Sequence, residues 1–331
     1  MKKKILLLAT GGTVASRSTG HGLSPSLLSE EILTYVPSIR TFCETEALQL
    51  FNIDSTNMEP SHWMRIAREI RSNYENFDGF VILHGTDTMS YTAAALSYLI
   101  QNTKKPIVLT GAQRPIDQEI TDAKRNLYDS FLYACDPQAC GVSIVFDGHV
   151  IAGTRARKIR TKSFNAFSSI DFPDLAVIRN NRIIRYILDE TEGGPIFSDF
   201  LNARVFVLKL IPGMDASVFD YLKTRYDALV IESFGVGGIP CYGVDRFAEA
   251  VRDWVSSGKI LVMTTQVPLE GSDMTVYQVG ARIKEKYEVL EAYDMTLEAV
   301  VTKLMWILGK TSDQEEIRRL FYQSIWHDTV V

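Results

Sequence analysis

The stretch KKKILLLATGGT (Lys2–Thr13) runs from three lysines through the apolar segment Ile5–Ala9 into a polar Thr-Gly-Gly-Thr turn. A charged start followed by apolar residues is also typical of an export signal. Here the apolar segment has five residues, whereas an export signal needs about 7–15, and the polar turn interrupts it. We therefore expect a buried β-strand that is retained in the mature protein and ends in a tight glycine turn.

Beyond this first strand, short apolar runs alternate with stretches of helical spacing. The predicted strands are Ile5–Ala9, Leu50–Ile53, Phe80–Leu83, Pro106–Leu109 and Val142–Phe146. The predicted helices are Pro60–Tyr74, with Ser61 as its N-cap, Thr88–Gln101 and Ile120–Ala134. This alternation predicts an α/β fold with a largely parallel sheet.

The acidic segment Leu188–Ile196 contains two glycines and a proline and is the best candidate for a linker. A second alternating unit follows it. Its predicted strands are Val205–Leu210, Ala228–Glu232 and Lys259–Thr264, and its predicted helices are Val218–Arg225, Asp245–Ser256, Thr296–Leu308 and Asp313–Trp326. We therefore predict a larger N-terminal domain (residues 1–188) that carries the functional loops, a linker (189–202) and a smaller C-terminal α/β domain (203–331).

Composition narrows the class of protein. A length of 331 residues fits two domains, and a net charge of −5 argues against nucleic acid as the main partner. No run approaches eighteen apolar residues, so no membrane span is predicted. The four cysteines form no CxxC motif and are predicted to be reduced, mostly buried thiols of a cytosolic protein; they are Cys43, Cys135, Cys140 and Cys241.

Four of the predicted strands end in segments rich in glycine, hydroxyl and acidic residues. These segments are Thr10–Thr13, Asp54–Asn57, His84–Thr88 and Thr110–Gln113. Ligands of α/β sheets bind beyond the carboxyl ends of the strands, so these segments are expected to form one pocket. Glycines such as Gly85 allow the backbone N–H groups to approach a ligand.

The residue types in these segments are typical of nucleophilic catalysis. A threonine or serine hydroxyl beside free N–H groups can attack a carbonyl carbon next to an oxyanion site, provided that a base takes its proton. A carboxylate and a lysine can serve in that role, and Asp87 is the obvious acid. Lys158 and Lys162 are equally good lysine candidates on spacing alone.

Each feature also has a purely structural interpretation. Thr10–Thr13 can be an ordinary β–α turn, Asp87 can cap the helix that follows it, and the basic run Arg155–Lys162 can be a solvated face. His84 fits a packed or hydrogen-bonded position better than a base. The other histidines show no metal-ligand spacing, and Thr13 and Ser16 stand where a dinucleotide-binding fingerprint requires glycine.

Taken together, the motifs resemble the bacterial type I L-asparaginases. The order ATGGT, DSTNM, LHGTDTM, TGAQRP and GTRARK follows the order of that family, and the similarity continues through NAFSSIDFPDL and YDMTLEAVVTKLMWIL. It therefore spans most of the chain. The resemblance implies a larger N-terminal domain with a mixed sheet, a smaller C-terminal domain with a parallel sheet, and a cytoplasmic homodimer or homotetramer.

The resemblance also implies hydrolysis of L-asparagine to L-aspartate and ammonia without metal or cofactor. Thr13 would be the acylated nucleophile, and the GTRARK motif selects Lys158 over Lys162 as the lysine that accepts a proton through Thr86. Asp87 would hold the substrate α-ammonium group. The other positions matching the family's substrate-binding segments are Ser55 and Thr56 for the α-carboxylate, Gly85 within HGTDT, and Ala112, whose carbonyl would face the leaving amide.

One departure from the family leaves alternatives open. Many relatives carry a catalytic tyrosine on the loop after TGGT, whereas this loop has none and Leu23 stands nearest that place. An amino-acid sensor with weak turnover is therefore one alternative. The same fold and motifs also serve the amidohydrolase subunit of a tRNA-dependent amidotransferase, which is a second alternative. Preference for asparagine or glutamine, affinity, subunit number and a second regulatory site are not determined by the sequence.

Overall fold

The computed structural model describes residues 2–19, 22–25, 27–189, 191–240, 246–276, 280–281, 284, 287 and 289–330. The chain divides into two compact units, Met1–Asp199 and Phe200–Val331. The predicted linker, residues 189–202, includes the point of division, and its exact boundaries stay a prediction.

The first unit contains fourteen strands and five α-helices among its described residues. The strands are β1 (Lys3–Gly11), β2 (Ser16–Thr19), β3 (Gly22–Pro25), β4 (Cys43–Ile53), β5 (Gly79–Leu83), β6 (Ile100–Gln101), β7 (Ile107–Thr110), β8 (Val142–Phe146), β9 (His149–Ala152), β10 (Ala156–Lys158), β11 (Phe167–Ser169), β12 (Ala176–Arg179), β13 (Arg182–Arg185) and β14 (Ile196–Phe197). The helices are α1 (Ser29–Thr34), α2 (Ile39–Phe42), α3 (Pro60–Asn73), α4 (Met89–Leu99) and α5 (Ala123–Ala134).

The main sheet of this unit is mixed, as predicted. Its order is β13-β12-β9-β8-β7-β5-β1-β4. Neighbouring strands from β4 to β8 run parallel, and β9, β12 and β13 are joined antiparallel. Every residue of β5, β7 and β8 is buried. Since side chains of a strand alternate between its two faces, both faces of these central strands are covered.

The segment after the first strand is a β-hairpin in its described part. β2 and β3 pair antiparallel, with Ser16 opposite Pro25.

The prediction of Ser61 as N-cap of α3 is wrong. Glu59 is the N-cap and Pro60 is the first helical residue, because proline lacks the N–H that the first turn leaves unpaired and has a φ that suits a helix. The N–H of Glu59 donates to Nδ1 of His62 at 3.0 Å.

The second unit is built on a parallel sheet, as predicted. Its strands β15 (Val205–Lys209), β16 (Ala228–Ser233), β17 (Ile260–Thr265) and β18 (Leu290–Glu291) lie in that order. Its described helices are α6 (Val218–Lys223), α7 (Arg246–Ser256), α8 (Leu297–Lys310) and α9 (Gln314–Tyr322). The predicted helix start at Asp245 lies outside the described residues, and the last helix ends four residues before Trp326. Within the described ranges, each helix is too short or too polar to span a bilayer.

Candidate active site

The four segments singled out in the sequence meet at one edge of the main sheet. Strands β7, β5, β1 and β4 are consecutive neighbours and parallel. Their carboxyl ends therefore lie side by side, and each ends in one of the four polar segments. The arrangement explains why glycine, hydroxyl and acidic residues recur at four separate places in the chain.

Close backbone contacts hold these segments together. A Cβ added to Gly12, whose φ is 81°, would lie 2.5 Å from the backbone nitrogen and Cα of Gly85. A Cβ on Gly85 would in turn lie 2.6 Å from Cβ and Oγ of Ser55, and one on Gly111 would lie 2.3 Å from the carbonyl oxygen of His84. Real Cβ atoms do not approach other atoms so closely. The glycines therefore allow the four loops to pack directly on one another.

Lys158 reaches this edge from a separate hairpin. It is the last residue of β10 and pairs with Phe167 of β11. Its Nζ lies 2.7 Å from Oγ1 of Thr86 and 2.7 Å from Oδ1 of Asp87. The lysine side chain is 16% exposed and that of Asp87 is 58% exposed. Lys162 is exposed, so the structure distinguishes the two lysines that spacing left equal.

Two structural interpretations of the sequence are wrong at these positions. The run Arg155–Lys162 is not a uniformly solvated face, since Arg155 is completely buried and Lys158 is half-buried. Asp87 is not the cap of α4, because Thr88 occupies the N-cap position and makes no side-chain cap hydrogen bond. The Asp87 carboxylate is paired with Lys158 instead.

The remaining predicted site residues lie in the same loops. Thr13 begins a short 3-10 turn (Thr13–Ala15) and is partly exposed. Ser55 is buried, whereas Thr56 is exposed and donates from its hydroxyl to Oδ1 of Asp54 at 2.9 Å. Ala112 is buried and is the second residue after β7. Across the part of the chain that is described, no cluster of three His, Cys, Asp or Glu side chains is placed to hold a metal ion.

The sequence did not identify Gln113 as a residue of the site, nor the residues that fix the position of its loop. The hydroxyl of Thr86 donates to Oε1 of Gln113 at 3.3 Å. The backbone N–H of Gln113 donates to the carboxylate of Asp122, and Nδ2 of Asn126 donates to the carbonyl oxygen of Gly111 at 3.0 Å. Burial raises the pKa of Asp122. Gln113 belongs to the TGAQRP motif, which is a signal in the sequence, whereas Asp122 and Asn126 lie in no motif.

His84 is a structural residue rather than a base. It is completely buried, with Nδ1 2.7 Å from the carbonyl oxygen of Gly85 and Nε2 2.9 Å from Oγ1 of Thr92. The carbonyl accepts only, so Nδ1 carries the proton and Nε2 accepts from Thr92. The indole N–H of Trp63 donates to the same Thr92 oxygen at 2.9 Å. Burial lowers the pKa of His84 to about 4, partly opposed by the Gly85 hydrogen bond.

This low pKa makes the stability of the protein depend on pH. An unfolded chain protonates a histidine near pH 6.5, whereas folded His84 stays neutral down to about pH 4. Its contribution is therefore fully present above pH 6.5 and is lost as the pH falls towards 4. We expect the free energy of unfolding of the wild type to drop by about 2–3 kcal/mol more than that of His84→Gln between pH 7 and pH 4.5. Equal drops, measured by urea unfolding, would contradict the assignment.

Two family models match this chain. The model described as "Asparaginase, N-terminal" matches residues 4–189, and "Glutaminase/Asparaginase C-terminal domain" matches residues 204–321. These matches, together with the two-unit α/β fold and the residues gathered at the sheet edge, define the class of protein. The chain belongs to the asparaginase family.

Within the asparaginase family, the chain is similar to proteins named L-asparaginase. The chain is 38% identical over 327 residues to the L-asparaginase of Thermococcus kodakarensis, covering 97% of this chain and 98% of the relative. It is similar to the solved structure of the thermostable enzyme from that organism, with a TM-score of 0.92, 37% identity and 98% of each chain covered. It is also similar to L-asparaginase I from Vibrio cholerae, with a TM-score of 0.88, 27% identity and 100% of each chain covered.

A second group of relatives has a different name. The chain is 35% identical over 339 residues to a glutamyl-tRNA(Gln) amidotransferase subunit of Metallosphaera sedula. This match covers 97% of the chain and 76% of the relative. The similarity therefore leaves about a quarter of that relative unmatched.

Proposed function

We propose that this protein is an L-asparagine amidohydrolase of the bacterial type I class, which converts L-asparagine to L-aspartate and ammonia. The observation that carries the proposal is the Lys158 ammonium group, which lies 2.7 Å from both Thr86 Oγ1 and Asp87 Oδ1 at the sheet edge where the loop of Thr13 also lies. The similarity to enzymes named L-asparaginase supports the choice of substrate.

The proposed reaction begins with proton transfer from Thr13. In the resting hydrogen-bond pattern, Lys158 donates to Thr86, and Thr86 donates to Gln113. Lys158 must first release a proton to solvent. The Thr86 hydroxyl can then donate to the lysine nitrogen and accept the hydrogen of the Thr13 hydroxyl, which relays the proton in two steps.

The Thr13 oxygen then attacks the carboxamide carbon of the substrate. Backbone N–H groups of the glycine-rich loops stabilise the oxyanion. The C–N bond breaks, and the nitrogen takes up the proton held by the lysine and leaves as ammonia. Water attacks the carbonyl carbon of the resulting threonine ester and the ester C–O bond breaks, which releases L-aspartate and regenerates the Thr13 hydroxyl. The residues of this chain carry all the steps, and we propose no metal or cofactor.

The three polar groups of the substrate have matching partners at the same edge. The Asp87 carboxylate is 58% exposed and can hold the α-ammonium group beside Lys158. Ser55, Thr56 and the backbone of Gly85 are proposed to bind the α-carboxylate, and the carbonyl of Ala112 is proposed to accept from the leaving amide. These partners match the three polar groups of a small zwitterion with one amide.

A coupled ammonia assay tests the proposed function. We expect the wild-type protein to release ammonia from L-asparagine at a rate proportional to enzyme concentration. L-Glutamine carries the same three polar groups and should be assayed in parallel. Thermal stabilisation by L-asparagine without ammonia release would contradict the enzyme and support the amino-acid sensor.

The relatives named as amidotransferase subunits support a second candidate, the amidohydrolase subunit of a tRNA-dependent amidotransferase. For such a protein, we expect ammonia release to depend on a partner protein and a charged tRNA. Full activity of the isolated chain on free L-asparagine would rule this candidate out.

We further propose that the protein is cytoplasmic and forms a homodimer or homotetramer, and that residues 189–202 link its two domains. The neighbour from Campylobacter jejuni described as a probable cytoplasmic L-asparaginase supports the cytoplasmic location.

Sedimentation equilibrium measures the subunit number. A monomer at assay concentration would contradict the proposed homodimer or homotetramer.

A further inference from the structure

Two thiols lie together at the end of the main sheet that is remote from the candidate site. Cys43 is the first residue of β4 and is 2% exposed, while Cys135 directly follows α5 and is half-buried. The two thiols are close enough to interact, since each is the largest cause of the shift in the pKa of the other, and both cysteines are free thiols. The Sγ of Cys43 also lies 3.2 Å from the carbonyl oxygen of Glu44, an acceptor for its hydrogen.

Contacts of neighbouring residues place the same segments together independently. Lys3, the first residue of β1, pairs with Cys43 in the parallel ladder. Its Nζ donates to the carbonyl oxygen of Asp136 at 3.1 Å, and Asp136 adjoins Cys135. The ring of Phe42, next to Cys43, packs edge to face on Tyr128 of α5 with ring centres 5.4 Å apart. The end of α5 is therefore packed against the start of β4.

The two thiols differ in reactivity. The neighbouring Cys43 thiol lowers the pKa of Cys135, and the positive charge of Lys3 acts in the same direction against the effect of burial. The neighbouring Cys135 thiol, together with burial, raises the pKa of Cys43. The more accessible sulfur therefore forms the thiolate first. An accessible thiolate next to a buried second thiol is the arrangement that thiol–disulfide exchange needs.

We propose that Cys43 and Cys135 form a redox modification site, which closes to a disulfide when the protein meets a small disulfide such as oxidised glutathione. The Cys135 thiolate attacks one sulfur of the oxidant, whose S–S bond breaks and releases one small thiolate. Cys43 then loses its proton to solvent and attacks the Cys135 sulfur of this mixed disulfide, and the second small thiolate leaves. Two protein thiols are thus oxidised and one small disulfide is reduced to two thiols.

The expected consequence is a gain in stability. Strand β4 has 11 residues and separates Cys43 from the segment after Ile53, a distance of about 35 Å in an extended strand. A cross-link at this end therefore leaves the active-site loops untouched. It closes a loop of roughly 90 residues and restricts the unfolded chain, so we expect the melting midpoint to rise by roughly 5–15 °C.

The test treats the full chain with oxidised glutathione and maps its peptides without reduction. We expect one linked pair of peptides containing Cys43 and Cys135, an intact mass lower by two hydrogens, and a raised melting midpoint that dithiothreitol reverses. The variant Cys135→Ser should lack all three changes. The matched variant Cys140→Ser should keep them, because Cys140 is a buried thiol 3.8 Å from the carbonyl oxygen of Asp189 and outside the pair.

Three outcomes would overturn the proposal. One is a linkage that involves a different cysteine. Another is glutathione that stays bound to Cys135 with no link to Cys43. The third is a cross-linked protein whose melting midpoint is unchanged. Peptide mapping of the wild type shows whether the link between Cys43 and Cys135 forms, even if a variant fails to fold.

Discussion

The variant Thr13→Ala is expected to release ammonia from L-asparagine at least about 10⁴-fold more slowly than the wild type, with its fold intact. Removal of a nucleophile eliminates the covalent route and leaves only the contribution of binding and of the oxyanion donors. Thr13 is partly exposed at the start of a 3-10 turn and is not among the buried residues of the core. The melting midpoint should therefore stay within a few degrees, measured alongside kcat in the same preparation.

The same motif provides a matched control. Thr10 is buried, and its hydroxyl donates to the carbonyl oxygen of Leu83 at 2.9 Å, which joins β1 to the end of β5. Thr10→Ala should lose about 1–2 kcal/mol of stability, because a buried hydrogen bond is removed, but it should keep the chemical step. Thr13→Ser should keep measurable activity. If Thr13→Ala retained wild-type kcat, the nucleophile would have to be sought elsewhere.

Local pattern was sufficient to predict the centre of the first unit. The runs Ile5–Ala9 and Phe80–Leu83 are continuous and apolar, and Val142–Phe146 is apolar apart from Ser143. These strands are buried on both faces, and all three runs lie within observed strands. Parallel neighbours also bring their carboxyl ends to one edge, so the polar segments after them could be predicted to meet.

The edge of the sheet was less visible in the sequence. Strand β4 starts at Cys43, but its partly exposed residues mix charged and apolar types, and only Leu50–Ile53 is a clear apolar run. An edge strand has one hydrogen-bonded neighbour and part of its surface faces water, so its hydrophobic pattern is weak.

In the antiparallel part of the sheet, the sequence contains turn residues that predict hairpins, although the periodicity of apolar residues does not reveal these strands. Asp147 and Gly148 have φ of 50° and 77° and join β8 to β9, and Asn180 and Asn181 have φ of 51° and 59° and join β12 to β13. Two-residue loops of these residue types are typical of tight hairpins. In contrast, the contacts of Asp122 with Gln113 depend on tertiary packing, which no local pattern encodes.

Replacement of Lys158 tests the proton-transfer part of the mechanism. Lys158→Met keeps most of the length of the side chain but removes the nitrogen that lies 2.7 Å from Thr86 and from Asp87. We expect kcat for L-asparagine to fall by roughly 10²–10⁴-fold, the range that a positioned acid or base contributes. KM should also rise, because the Asp87 carboxylate loses the partner that orients it.

Lys162→Met is the matched control for this replacement. It makes the same chemical change four residues further along the same basic run, at an exposed position, and should keep kcat within about twofold of the wild type because surface changes away from a site have small effects. The ratio of the two kcat values isolates the contribution of the Lys158–Thr86 contact from the loss of one positive charge. If both variants lost activity equally, the role of the lysine would be one of general charge. If Lys158→Met alone kept full activity, Thr13 would need a different proton acceptor, and the relay through Thr86 would be wrong.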